Sequence, residues 1–191
     1  DSVRVNLGLV QADVDVIWDL APHDFSIIDY ILPDGVRPVS VTAVGSDPLG
    51  VGHACVAYVT LQMSDGAIAH VHLNWLSPVK IRTIIIGGSD KMLMWDDTKP
   101  AQRLSIYESG AQLGDLSERE RREALVSYRI GDMVAPALPE TEALGAMVAE
   151  FRMSIENRSK PATDGWAGVR VLEMLDAASR SMAAGGSPVT I

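Results

Sequence analysis

Apolar and polar positions alternate strictly along residues 53–63, with Ala57, Val59, Leu61 and Met63 on one side and Tyr58, Thr60 and Gln62 on the other. A period of two marks a strand with one buried face. Ser64-Asp65-Gly66 supplies a hairpin turn. Residues 67–76 then alternate back, with Ala69, Val71, Leu73 and Trp75 on one face and His70, His72 and Asn74 on the other. Shorter strands are predicted at 39–44, 80–86, 92–95, 104–107 and 189–191. Residues 3–16 read as extended, broken by Gly8.

Helical spacing appears in three places. Phe25, Ile28 and Leu32 recur along a segment in which Pro22 suits the first helical position and Pro33-Asp34-Gly35 the stop. Thr141 is placed to cap a helix over 141–157, with Leu144, Met147, Val148, Phe151 and Ile155 as its core face. Asp164 is placed to cap a helix over 165–184, with Val169, Leu172, Leu175, Ala178 and Met182 as its stripe and Gly185-Gly186 after it. Between these, residues 115–125 crowd charges of both signs and predict a solvated helix or loop. The pattern predicts an α+β fold: a large open, mainly antiparallel sheet with helices packed on one face. The opposite face, carrying Tyr58, Thr60, Gln62, His70, His72 and Asn74, must meet water or another subunit.

Composition narrows the function. The chain has 191 residues, enough for a single domain over 1–191 with its own core. Its formal net charge of −9 argues against non-specific nucleic-acid binding and against a basic membrane-surface helix. Apolar runs fall short of the ~18 residues that a membrane span needs. The single cysteine, Cys55, excludes an internal disulfide and a multi-cysteine metal cage, and suits a reducing, cytoplasmic setting. Mid-strand among apolar neighbours, it reads as a buried small residue rather than a nucleophile.

Asp19 and His23 are four residues apart at the entrance of the first helix. A carboxylate beside an imidazole can orient it and raise its basicity, which makes a general acid/base pair. On spacing alone, the favoured reading is plainer: Asp19 caps the helix and His23 lies on its surface. His70 and His72 share a strand face at a spacing of ~7 Å, which would suit zinc if a third ligand such as His53 reached them. No carboxylate or cysteine supports that set, so an ordinary polar face is favoured and no metal is expected. The glycine pairs Gly50/Gly52 and Gly87/Gly88 complete neither the dinucleotide fingerprint nor a P-loop, and the serine-elbow pattern is absent.

Several ordered segments shift this balance. Arg4-Val5-Asn6-Leu7-Gly8, Trp18-Asp19-Leu20-Ala21-Pro22-His23-Asp24, 74–82 (Asn-Trp-Leu-Ser-Pro-Val-Lys-Ile-Arg), Gly88-Ser89-Asp90-Lys91-Met92 and Trp95-Asp96-Asp97 occur in one order, followed by 139–144, 164–168 and Leu172-Glu173. Together they resemble the C-terminal domain of the glucose–fructose oxidoreductase / inositol dehydrogenase / MocA (Gfo/Idh/MocA) family of NAD(P)-dependent sugar oxidoreductases. The branch acting on nucleotide-linked amino sugars, or on their uronic acids, is the most similar. The resemblance implies that Asp19 orients His23 and that His23 takes the hydroxyl proton as hydride leaves for the nicotinamide. It also implies substrate contacts for Arg4, Asn6 and Lys80, the last being ambiguous between substrate and subunit contact.

The family's Rossmann domain, with its glycine fingerprint and E-K-P lysine, has no counterpart here. Neither Lys99-Pro100 nor Lys160-Pro161 follows a glutamate. The chain is therefore expected to be a fragment, an expressed domain or a stand-alone module. NAD or NADP would be the cofactor of the full-length parent, with none bound to this chain, which alone would be inactive. The expected partners are a sugar or nucleotide-sugar substrate and a second copy through the open sheet face, with no nucleic acid and no membrane. The rival reading is a non-catalytic binding or scaffold module that keeps the same fold.

Overall fold

The computed structural model describes residues 1–108, 131–139 and 141–191. The charged segment expected at 115–125 lies outside them. The chain divides into two compact units, one of Ser2–Lys80 with Pro139–Ile191, the other of Asp1 with Ile81–Leu138.

The larger unit holds β1 (Ser2–Leu7), α1 (Val16–Ile31), β2 (Pro38–Ser46), β3 (Val56–Met63), β4 (Ile68–Asn74), the start of β5 (Leu76–Gly87), α2 (Ala143–Asn157), α3 (Gly165–Ala183) and β9 (Val189–Thr190). Its strands are ordered β1-β4-β3-β2-β9. The β2–β3, β3–β4 and β2–β9 pairings are antiparallel, the second of them across the Ser64-Asp65-Gly66 turn. β1 instead lies parallel to β4, with Ser2 opposite Val71 and Val5 opposite Asn74, so the sheet is mixed. A parallel partner needs a crossover between the two strands. Here α1 and the β2–β3 segment supply it.

The period-two reading holds residue by residue. Ala57, Val59, Leu61, Val71 and Leu73 are fully buried, and α1 and α3 cover this face with Phe25, Ile17, Met174 and Leu175. α1 and α3 are also joined by a bidentate ion pair, Arg170 Nε and Nη2 to the two Asp29 oxygens at 2.6 and 2.8 Å. The Ser181 hydroxyl, wholly buried, accepts from Ala43 N at 2.9 Å and donates to Ser187 O at 2.7 Å, tying α3 to β2.

Two helix expectations are corrected. α1 begins at Val16, six residues before Pro22, because the Asp15 carboxylate accepts from Ile17 N and Trp18 N and closes the first turn. Pro22 therefore lies inside the helix. α2 is capped by Glu142, not Thr141, and it buries no residue: Leu144, Met147, Phe151 and Ile155 are all more than half exposed. Its stripe is amphipathic but is no core face in this chain. The Asp164 cap on α3 is as expected, accepting from Ala167 N at 2.9 Å. Val169 and Leu172 of its predicted stripe are exposed, while Met174 and Ala177 are buried in their place.

The smaller unit holds the remainder of β5, then β6 (Met92–Asp96), a 3₁₀ turn (Pro100–Gln102), β7 (Leu104–Tyr107) and β8 (Met133–Val134), in the antiparallel order β8-β7-β6-β5. Asp96 closes the turn after β6. It accepts from Thr98 N and Thr98 Oγ1 and pairs with Lys99, and the Thr98 hydroxyl foremost holds its carboxyl below the usual range.

Candidate functional site

The C-terminal ends of β1 and β4 lie side by side, and the N-terminus of α1 comes to them. Val16 N donates to Ala54 O, Trp75 N to Cys55 O, and Gly8 N to Trp75 O at 2.9 Å. A side chain on Gly8 would press on Asn6 Nδ2 at 3.3 Å and stand 3.6 Å from the Trp75 ring. These backbone bonds gather Asn6, Asp19, His53 and Trp75 at one end of the sheet.

Because Asp15 does the capping, Asp19 is released from that duty. Its Oδ2 accepts from Trp75 Nε1 at 2.8 Å. Trp75 is buried to 1% exposure, so this bond satisfies the one polar atom of a core side chain. His53 meets Trp75 edge-on at 6.2 Å and is itself bonded through Nε2 to Gln11 O at 2.8 Å. Sequence reasoning considered His53 only as a zinc ligand and gave Trp75 core or interface duty, without a hydrogen-bond partner. The signal for Trp75 was its place on the buried side of an otherwise aliphatic strand, where an indole N–H must find an acceptor.

His23 follows Asp19 by one helical turn and is exposed. It makes no hydrogen bond among the described residues, so the expected Asp19–His23 contact is not formed here. The imidazole is open to an incoming hydroxyl group. Arg4 and Asn6 alternate onto the helix side of β1. Arg4 is spent on Asp24, donating from Nε at 2.8 Å and Nη2 at 3.1 Å, and Ser2 Oγ adds a third bond at 2.8 Å. Asp24 is 1% exposed. Arg4 thus holds the residue next to His23 rather than reaching outward. Lys80, on β5, is exposed and forms no ion pair among the described residues. Of the predicted site residues, Asp19, His23, Arg4 and Asn6 gather around α1 and the end of β1, and Lys80 lies on β5, the strand next to β1 in the sheet order.

Helix N-termini are the natural seat for a dinucleotide pyrophosphate. In all three helices among the described residues that seat is filled by a carboxylate: Asp15, Glu142 and Asp164. A negative group there repels a phosphate, so these three helix N-termini do not fit the pyrophosphate of a nicotinamide dinucleotide. Nor do they contain a group of three or more His, Cys, Asp or Glu placed to hold a metal. No helix among them is long and apolar enough to cross a membrane.

Geometry and fold define a sheet-and-helix domain with an imidazole and a fixed carboxylate at one end. Residues 11–94 match the family model described as the GFO/IDH/MocA C-terminal domain, which bears out the resemblance read from the sequence. The solved structures it is similar to include UDP-N-acetylglucosamine 3-dehydrogenase GnnA from Acidithiobacillus ferrooxidans, at 24% identity and a TM-score of 0.77 over 96% of this chain and 54% of that one. Aldose-aldose oxidoreductase from Caulobacter crescentus matches at 17% identity and a TM-score of 0.71, over 100% and 55% of the two chains. Levoglucosan dehydrogenase, solved with NADH and L-sorbose, matches at 16% and 0.70, over 100% and 57%. No curated protein sequence matches the chain. It spans about half the length of these solved relatives.

Proposed function

We propose that this chain is the substrate-side and oligomerisation half of an NAD(P)-dependent sugar dehydrogenase that oxidises a ring hydroxyl. The observation that carries the reading is the end of the β1–β4 pair. There Asp19 is fixed by the buried Trp75, and the exposed His23 lies one turn further along α1. The names of the similar structures, a nucleotide-sugar dehydrogenase and two sugar oxidoreductases, support the substrate class.

In this reading the proton of the substrate hydroxyl passes to His23. The nicotinamide cofactor supplies the hydride acceptor. It would be held by the part of the protein that corresponds to the other half of the relatives, since the helix N-termini here are closed by carboxylates. Asp19 supplies negative charge one helical turn before His23, on the same face of α1. Asn6, at the end of β1, offers an amide to substrate hydroxyls, and Lys80 a cation to a more distant anionic group. The polar sheet face opposite the helices pairs with a second copy.

The test compares His23→Ala and Asp19→Asn in the full-length protein. Loss of a positioned acid/base costs about 10²–10⁴ in turnover, and His23, being exposed, should cost little stability. A His23 variant with unchanged kcat overturns the reading and leaves a binding module in its place.

A further inference from the structure

α2 is a helix without a core. Its residues Leu144, Met147, Val148, Phe151 and Ile155 recur at helical spacing along one face, and each is between 59% and 66% exposed. The helix buries no residue. A helix of 15 residues is marginal in water by itself. Its Glu142 cap and the exposed Arg152–Glu156 pair add little to that. Most helical stability in proteins comes from packing an amphipathic face, so an ordered α2 needs a surface laid along this stripe.

The stripe is tied to a second apolar surface. Glu150 Oε1 accepts from Ala162 N at 2.6 Å, which folds the link after α2 back along the helix. Lys160 Nζ then meets Asp164 at 2.7 Å. There the link enters the rim of a groove of about 590 Å³ between α1 and α3. Trp18, Pro22 and Ser26 line it from α1, and Val169, Leu172 and Leu175 from α3. Val169 and Leu172 are the apolar positions of α3 that this chain leaves exposed. The Trp18 indole is pinned in place by its Nε1 bond to Ser179 Oγ at 2.8 Å. Along α1, Trp18 and Pro22 directly precede Asp19 and His23, so the groove runs beside the candidate pair.

We propose that the α2 stripe and the α1–α3 groove form one seat, and that its occupant is the other half of the full-length protein, the half that holds the nicotinamide; this rests on the sugar-dehydrogenase reading above. The solved relatives are matched over 54% to 57% of their lengths, which leaves each of them a further piece of domain size. The position of the groove decides between that half and a second copy. Hydride transfer requires the cofactor to be held against the hydroxyl that His23 serves. The half that carries the cofactor must therefore lie alongside this stretch of α1. A second copy would instead bring another chain of charge −9, whose described helix N-termini are closed by carboxylates, and would keep the cofactor away. α2 thus acts on the reaction through docking, without touching substrate.

Hydrogen exchange read by mass spectrometry, on the full-length protein and on the 191-residue chain, tests the seat. Peptides covering Ala143–Asn157 should exchange at least about tenfold more slowly in the full-length protein. Equal exchange in the two overturns the proposal. Protection that appears in the 191-residue chain as its concentration rises gives the seat to a second copy and also overturns it. Met147→Asp/Phe151→Asp supplies the second readout. In the 191-residue chain, where both residues are exposed, the thermal melt should not change; a lowered melt would mean that α2 packs within this chain, and overturns the proposal. In the full-length protein the same variant should lose at least about tenfold in turnover while NADH or NADPH still binds by fluorescence titration. Unchanged turnover overturns it. The His23→Ala test stays separate. A protected α2 with a dispensable His23 keeps the seat and removes the reaction, and an unprotected α2 with an essential His23 removes the seat alone.

Discussion

Arg4 was expected at the substrate, and the structure ties it to Asp24. Replacing Arg4 with Met separates these roles. The variant removes the 2.8 Å and 3.1 Å bonds and leaves a carboxylate at 1% exposure with only Ser2 to satisfy it. Breaking a buried pair from one side costs about 3–5 kcal/mol. The orphaned carboxylate can escape by taking a proton, at about 1.4 kcal/mol for each pH unit above the ordinary carboxylate range. That limits the loss to ~4 kcal/mol at pH 7 and ~1.5 kcal/mol at pH 5. The penalty should therefore shrink as the solution is acidified. In a domain of this size the pH 7 loss lowers Tm by roughly 6–16 °C. Arg4→Met/Asp24→Leu, which removes both charges, should recover most of it. Thermal melts of the three proteins at pH 7 and pH 5 provide the check. An Arg4→Met variant within 1 kcal/mol of the parent at pH 7, or a double variant no better than the single one, would refute the structural role and return Arg4 to the substrate.

Two further outcomes follow from particular contacts. Trp75→Phe keeps the ring and removes the donor to Asp19; it should cost about 1.5–3 kcal/mol, as for a bond to a charged group, and chemical denaturation with no significant loss would show that the bond is dispensable. Gly186→Ala should destabilise by about 1–3 kcal/mol, because the residue sits at φ +90° and a Cβ would fall 2.8 Å from Val44 Cγ1; a melt unchanged within 1 °C would refute it.

The strands were legible because one face of each is buried, and a period of two survives in the side chains themselves. β3 and β4 show it at Val59, Leu61, Val71 and Leu73. The parallel pairing of β1 was not legible: it depends on which strand lies at the centre, and no local turn signal encodes that. The start of α1 was misplaced because two positions compete to begin it. Pro22 suits a first turn, but Asp15 makes the actual cap and leaves Pro22 inside the helix. At the site, the resemblance named the candidate residues and the local spacing placed Asp19 and His23 on one helix. What the spacing could not show is that Asp19 is held from across the sheet by Trp75. That bond joins residues 56 apart in sequence. α2 misled for a different reason. An amphipathic stripe says that a face is to be covered, not that this chain covers it.

The placing of β1 beside β4 also bears on how the domain assembles. Ser2 meets Val71, so about 69 residues must be in hand before the first strand finds its partner. The β3–β4 hairpin closes across a turn of about four residues. By the logarithmic law of loop closure, the longer link costs about 2.5 kcal/mol more in chain entropy than the shorter. The hairpin and its β2 neighbour are thus the natural nucleus. The chain's first residues, with the Arg4–Asp24 clasp that depends on them, join late, so conditions that slow this step leave the end of the sheet that carries Asp19 and His23 as the last part to take shape.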